Sequence, residues 1–144
     1  MAQQLQPGYY AIRSVERGRY LSCKPDATLR FDAQDVSNPN TRFQVEDANV
    51  NKHLVNIKSN NDKYWRMVDP TSSRIWSGAV DPHEDLCSWS CTLFKIMNAT
   101  ENNYRILQKH LENFIEPTSE NDYNAYALQE TLTNNQLVVF ERRD

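Results

Sequence analysis

The sequence predicts an all-β fold built from three copies of one four-stranded unit. Short runs of β-branched and aromatic residues recur along the chain, and clusters of Asn, Asp, Pro and Ser separate them. Helical periodicity is hard to find. Only 3 of the 144 residues are glycine, so asparagine, which tolerates the left-handed conformation, is expected to serve as the turn residue.

Twelve segments have the composition of short strands, and together they indicate an all-β chain. In chain order they are Tyr9–Ser14, Arg19–Ser22, Thr28–Asp32, Phe43–Glu46, Leu54–Lys58, Tyr64–Val68, Arg74–Ser77, Leu93–Met97, Tyr104–Gln108, Asn113–Glu116, Ala125–Gln129 and Leu137–Glu141.

An internal period relates these segments. In each copy an isoleucine is followed, 7 or 8 residues later, by an aromatic residue that begins an apolar pair. The isoleucines are 45 and 49 residues apart, and the phenylalanines of the closing strands are 51 and 46 apart. The positions concerned are Ile12, Ile57 and Ile106, and then Phe43, Phe94 and Phe140.

Twelve strands in three similar units are typical of a β-trefoil, a six-stranded barrel capped by three hairpins about a pseudo-threefold axis. A propeller normally has more blades, and a Greek-key sandwich does not need a threefold repeat. One unit cannot bury its apolar face alone, whereas three units close a barrel without open edges. We therefore predict one β-trefoil domain over residues 1–144, with repeats at roughly 8–47, 52–98 and 102–144.

Charge and hydropathy argue against several classes of function. The 16 Lys and Arg nearly balance the 19 Asp and Glu, and no basic stripe suggests a nucleic-acid partner. The first residues lack the pattern of a secretory signal, and no apolar run approaches the length of a membrane span. We therefore expect a cytoplasmic or nuclear protein without membrane insertion, whose cysteines are free thiols.

The second copy differs from the other two in a way that suggests a binding site. It contains all three tryptophans, and the polar run Asn60–Lys63 leads directly into Tyr64 within the segment Ser59–Trp76. An aromatic ring can cover the apolar face of a sugar while short polar side chains meet its hydroxyls. The alternative interpretation is core packing beside an ordinary Asx-rich turn. The tryptophans are Trp65, Trp76 and Trp89.

Neighbouring residues of a strand face opposite sides of the sheet, so only one of Tyr64 and Trp65 can point into the barrel. The corresponding pairs of the other copies are Tyr20–Leu21 and Phe114–Ile115, so this position is structural in every copy. We therefore expect one member of the Tyr64 and Trp65 pair to belong to the scaffold.

Metal binding and catalysis have little support in the sequence. His83, Cys87 and Cys91 have a spacing that would share one helix face and suit zinc, but a fourth ligand and paired C-x2-C spacing are missing. A buried free cysteine beside Trp89 is the preferred interpretation. The histidines are scattered, and no serine lies in a nucleophile-elbow pattern. We predict no enzyme activity and no cofactor.

Three segments of the second copy carry a specific order of motifs. They read DKYWR at Asp62–Arg66, RIW at Arg74–Trp76 and EDLCSWSCTLF at Glu84–Phe94. This order closely resembles the agglutinin domain of amaranthin-like plant lectins, and the resemblance spans nearly the whole chain. It implies a β-trefoil lectin that recognises galactose or N-acetylgalactosamine glycans such as Galβ1-3GalNAc (T-antigen), acting as an agglutinin in stress or defence.

The resemblance also implies site residues and a partner. Its sugar-binding segment corresponds to Asn61, Lys63, Tyr64 and Trp65, and the aromatic cluster adds Trp76. Asp62 stands where the family is expected to have Asn. A homodimer is implied as well, since the family holds sugar near the contact between neighbouring domains. The competing hypothesis is a β-trefoil protein-interaction module that has lost or altered sugar binding.

Overall fold

The structure, a computed structural model, describes residues 4–119 and 122–144, so residues 1–3, 120 and 121 of the predicted domain lie outside it. The described residues form twelve strands, which confirms the all-β prediction. Within them, no helix has the length and apolarity needed to cross a membrane. The strands are β1 (Gly8–Ser14), β2 (Tyr20–Cys23), β3 (Leu29–Ala33), β4 (Phe43–Asp47), β5 (Val55–Lys58), β6 (Tyr64–Asp69), β7 (Ser72–Ala79), β8 (Phe94–Thr100), β9 (Asn103–Gln108), β10 (Asn113–Thr118), β11 (Asn124–Gln129) and β12 (Val138–Arg142).

Six of these strands close into a barrel. The first and fourth strands of each repeat pair in the order β1, β4, β5, β8, β9 and β12, and β12 pairs with β1 again. Every pairing is antiparallel. Each barrel strand therefore has a neighbour on both sides, which protects its backbone groups from edge pairing.

The second and third strands of each repeat form hairpins that cap the barrel. The hairpins are β2–β3, β6–β7 and β10–β11. They touch one another through three pairs: Thr28 with Trp76, Arg30 with Asn124, and Arg74 with Tyr126. A six-stranded barrel under three mutually contacting hairpins is the predicted β-trefoil.

The core lies inside the barrel and under the cap, and Trp65 is its largest fully buried side chain. Its ring packs edge-on against Phe43 and Phe94, with centroid separations of 5.4 and 5.9 Å. The indole N–H donates to the Ser59 hydroxyl at 2.9 Å. A buried indole needs such a partner, because an unsatisfied donor would cost free energy.

The closing strand of the third repeat corrects the predicted alignment. Phe140 pairs with Ile12 as Val45 pairs with Ile57, so Val138 takes the place that the phenylalanines occupy in the other repeats. Val138 is 3% exposed, whereas Phe140 is only partly buried. Residues two apart in a strand face the same side, so aromatic spacing alone could not distinguish the two positions.

Candidate functional site

A tight turn between β5 and β6 presents Tyr64 on the outside of the second repeat. The Asp62 N–H donates to the Ser59 carbonyl at 3.0 Å, and the Ser59 N–H donates to the Lys63 carbonyl at 3.0 Å. Asp62 has a φ of 67°, in the left-handed region that Asp and Asn tolerate better than other side chains. The sequence folds this way because short polar residues here replace glycine.

The amide of Asn61 faces the protein. Its Oδ1 accepts from the Lys63 N–H at 3.1 Å, and its Nδ2 donates to the Ser77 carbonyl at 2.9 Å. The Ser77 hydroxyl donates to the Lys63 carbonyl at 2.7 Å and lies 3.1 Å from Oδ1. Asn61 holds the turn against β7.

Tyr64 belongs to a polar cluster that joins the turn to the barrel. Its hydroxyl donates to the Glu46 carboxylate at 3.2 and 3.4 Å. Lys58 Nζ lies 3.8 Å from Glu46 Oε1, 3.3 Å from Asp62 Oδ1 and 5.5 Å from the centre of the Tyr64 ring. Lys63 next to it is exposed, and Tyr64 is half-buried. We call Glu46, Lys58, Asp62, Lys63 and Tyr64 the tyrosine site.

The charges of the tyrosine site fix its protonation. Burial and the neighbouring charge of Glu46 raise the pKa of Tyr64, which keeps the phenol protonated as a donor. Burial opposes the charge on Lys58, but Asp62, Tyr64 and Glu46 together raise the pKa of its ammonium. The site thus combines a phenol, two ammonium groups and two carboxylates. A groove of about 250 Å³, lined by Lys58 and Asp62, adjoins it.

Trp65 is fully buried, with 0% of its surface exposed. A ring that packs inside the barrel cannot cover a sugar, so the prediction that Trp65 contacts carbohydrate is wrong. The expectation that one member of the pair is scaffold is confirmed, and alternation along β6 explains it. Tyr64 is the member on the outer face.

Trp76 lies against Arg66 in a second group, which we call the tryptophan stack. The Arg66 guanidinium carbon is 5.6 Å from the centre of the Trp76 ring and 5.1 Å from that of Trp89. Burial lowers the pKa of Arg66. The Trp76 ring also lies over Gly78, where an added Cβ would come within 2.4 Å of it. Stacking of this cation on two rings stabilises the outer face of the hairpin.

The motif that begins at Glu84 is anchored through the carboxylate of that residue. Glu84 Oε1 accepts from the N–H groups of Asn49 and Val50 at 2.9 Å each, and Oε2 accepts from the Asn56 amide at 2.8 Å. Burial opposes its charge, but these hydrogen bonds lower the pKa of Glu84 below its usual range. The carboxylate therefore pins this loop to the β4–β5 connection, and the motif is scaffold.

The histidine of the same loop is hydrogen-bonded at the surface, and one of its two cysteines is buried. His83 Nδ1 lies 2.7 Å from Ser90 Oγ, and Cys91 is buried beside Leu93. In the part of the chain that the structure describes, no three His, Cys, Asp or Glu side chains gather as metal ligands would. All three cysteines are free thiols, and only Cys87 is exposed.

Glu46 and Lys58 are the members of the tyrosine site that the sequence prediction missed. They lie 12 residues apart on β4 and β5, and both reach Tyr64 on β6. The available signal was the repeat itself, since Lys58 follows Ile57 as Arg13 follows Ile12. The antiparallel pairing of the neighbouring strands β4 and β5, with Glu46 opposite Asn56, then brings the Glu46 carboxylate to Tyr64.

Comparisons with known proteins agree with this architecture. The family model described as Agglutinin domain matches residues 4–131. A comparison with curated protein sequences found no match. The structure is similar to the crystal structure of a designed 3-fold symmetric protein, ThreeFoil, with a TM-score of 0.76 and 9% identity over 94% of this chain and 99% of that one. At that identity the likeness shows the β-trefoil fold alone.

The family match covers most of the chain, including the three strands and the turn that build the tyrosine site. Together with the β-trefoil fold, it points to a carbohydrate-binding protein and not to an enzyme. The chain belongs to the agglutinin-domain family of lectins.

Proposed function

We propose that this agglutinin domain binds galactose and N-acetylgalactosamine glycans, such as Galβ1-3GalNAc, at the tyrosine site. One observation carries the proposal: Tyr64 lies half-exposed beside the exposed turn, with its hydroxyl held by Glu46. Lys63 and Tyr64 of this site belong to the segment that resembles the sugar-binding segment of amaranthin-like lectins. Asn61 contributes by holding the turn.

The chemistry of galactose fits this arrangement. Its axial 4-hydroxyl leaves the opposite ring face as a continuous apolar patch, and such a patch stacks on an aromatic ring like that of Tyr64. The Glu46 carboxylate accepts from sugar hydroxyls, and the Lys63 ammonium donates to them. Glucose, with an equatorial 4-hydroxyl, interrupts the apolar patch and stacks less well.

A single site of this kind binds weakly. Each sugar contact contributes on the order of 1 kcal/mol after competition with water, so several contacts together give a Kd of roughly millimolar to high micromolar. Useful avidity then requires more than one site on a particle. We propose a homodimer with the sugar site near the contact between subunits, as the family resemblance implies.

A titration of isotopically labelled protein with Galβ1-3GalNAc tests the proposal. The amide signals of residues 59–64 are expected to shift, with smaller shifts for a glucose disaccharide at equal concentration. Tyr64→Ala is expected to abolish those shifts. Tyr126→Ala removes a half-buried tyrosine of the third repeat and serves as the matched control. Thermal melts of both variants report whether each one folds.

Two results would overturn the proposal in different ways. If folded wild-type protein shows no shift with any galactose-type sugar, the chain is not a galactose lectin, and a protein-interaction module takes its place. If Tyr64→Ala keeps the shifts at residues 59–64, the family function stands but the tyrosine site is not where sugar binds.

A further inference from the structure

We propose that the first repeat carries a second galactose-binding site, formed by Arg13, Arg19, Tyr20 and Glu141; this inference rests on the proposed function. Its starting point is the strand register. Arg13 of β1 pairs with Tyr20 of β2 as Lys58 of β5 pairs with Tyr64 of β6. The pseudo-threefold axis therefore relates the two tyrosines and the two cations.

The turn before Tyr20 has the same hydrogen bonds as the turn before Tyr64. The Ser14 N–H donates to the Arg19 carbonyl at 2.9 Å, and the Gly18 N–H donates to the Ser14 carbonyl at 2.9 Å. Gly18 has a φ of 66°, almost equal to the 67° of Asp62. Although this turn is one residue longer, it delivers Tyr20 to the corresponding place on the outer face.

The polar cluster is also repeated. The Tyr20 hydroxyl donates to Glu141 Oε1 and Oε2 at 2.9 and 3.0 Å, and Arg13 Nε lies 3.4 Å from Glu141 Oε2. Glu141 occupies on β12 the register position that Glu46 occupies on β4. The side chains of Arg13 and Glu141 are 34% and 36% exposed, so both reach solvent and a ligand can approach them.

The third repeat shows that the fold does not need this cluster. Its turn is kept, since Glu112 has a φ of 58° and its N–H donates to the Gln108 carbonyl at 2.8 Å. The cluster positions, however, are apolar: Leu107, Phe114 and Met97 stand where the cation, the tyrosine and the carboxylate stand elsewhere. Backbone geometry alone thus does not explain the polar triads of the first two repeats, and a ligand does.

The two sites differ in charge. Gly18 supplies no carboxylate where Asp62 supplies one, and Arg19 replaces Lys63. The first-repeat site therefore has one carboxylate and two cations, whereas the tyrosine site has two of each. Arginine presents a planar fork of donors that suits two neighbouring hydroxyls of a pyranose ring. Both sites accept the same class of ligand, a galactose-type sugar, with different affinities.

Two sites would make a single chain bivalent. Crosslinking of glycan-bearing particles would then follow from the monomer, without the contribution of a second subunit. The sites belong to different repeats and share no side chain, so each can be removed separately.

The same titration with Galβ1-3GalNAc tests the second site. Two separate groups of amides are expected to shift in wild-type protein, residues 15–20 and residues 59–64. Tyr20→Phe combined with Glu141→Gln is expected to abolish the first group of shifts while keeping ring shape and packing. The Kd read from the second group should change by less than about two-fold, because distant sites behave independently.

Tyr126→Phe combined with Glu130→Gln makes the same chemical changes in the third repeat, away from both clusters, and should leave both groups of shifts unchanged. Shifts confined to residues 59–64 would overturn the second site and leave the proposed function intact. Shifts confined to residues 15–20 would support the second site and contradict the assignment to Tyr64. Shifts around Phe114 would overturn the argument that the polar triad makes the site, and no shift at all would end both proposals.

Discussion

The second and third repeats have the same turn conformation before their second strand but differ in the side chains around that turn. Both have a left-handed residue in the turn before the second strand, Asp62 in one and Glu112 in the other. The second repeat then presents Tyr64 to solvent with a carboxylate and an ammonium, whereas the third presents Phe114 at 6% exposure. The fold fixes where a side chain stands, and the chemistry at that place is free to vary with function.

Replacement of Trp65 by alanine should have the largest effect. The equivalent core position of the third repeat is Ile115, which is 3% exposed. Trp65→Ala should lower the free energy of unfolding by about 3–5 kcal/mol, and Ile115→Ala by about 2–5 kcal/mol. Urea unfolding monitored by circular dichroism measures both. An unchanged midpoint for Trp65→Ala would show that the ring is not the centre of the core.

Glu84 lies in the loop between β7 and β8 of the second repeat, outside the strands. Glu84→Gln removes a charged acceptor of three hydrogen bonds, and we expect a loss of about 1.5–3 kcal/mol, the range for hydrogen bonds to charged groups. Glu101→Gln, an exposed change at the end of β8, is the matched control and should lie within about 0.5 kcal/mol of wild type.

The stabilisation from Glu84 should also depend on pH. Its pKa is lower in the folded protein than in the unfolded chain, where it is about 4.3, so the carboxylate stabilises the fold above that value. The contribution is lost as the pH falls through the lower, folded pKa. The free energy of unfolding, measured at several values between about pH 3 and 7, should therefore rise more steeply with pH for wild type than for Glu84→Gln. An equal dependence on pH in the two proteins would contradict the role of Glu84.

Much of this architecture could be read from the sequence because the repeats constrain one another. The twelve strands and the threefold unit could be predicted because the same residue pattern recurs in all three repeats. Alternation predicts that one of Tyr64 and Trp65 is buried but not which, since both are aromatic. The partnership of Glu46 with Tyr64 depends on register across β4, β5 and β6, and no local pattern encodes it. The predicted alignment of Phe140 with Phe43 and Phe94 was wrong for the same reason.

Gly78 is the glycine of the second repeat that packing requires. Its counterpart in the third repeat is Leu128, which is 41% exposed, so the backbone there accepts a large side chain. A Cβ on Gly78 would meet the Trp76 ring at 2.4–2.8 Å. Gly78→Ala should therefore cost about 1–3 kcal/mol and change the tryptophan fluorescence, since the stack with Arg66 must shift. Leu128→Ala should change stability by about 0.5 kcal/mol or less.

Asp62→Asn should have the smallest effect on stability and the most specific effect on binding. The carboxylate of Asp62 is 88% exposed and pairs with Lys58 at 3.3 Å, and exposed pairs of this kind contribute little. Asparagine tolerates the left-handed φ of 67° at least as well, so the free energy of unfolding should change by less than about 0.5 kcal/mol. An amide both donates and accepts, and its introduction releases Lys58 from the ion pair. Galactose should therefore bind the tyrosine site a few-fold more tightly, while shifts at residues 15–20 stay unchanged. Weaker binding would show that the carboxylate itself contacts the sugar, and a stability loss above about 1 kcal/mol would show that the Lys58 pair organises the turn.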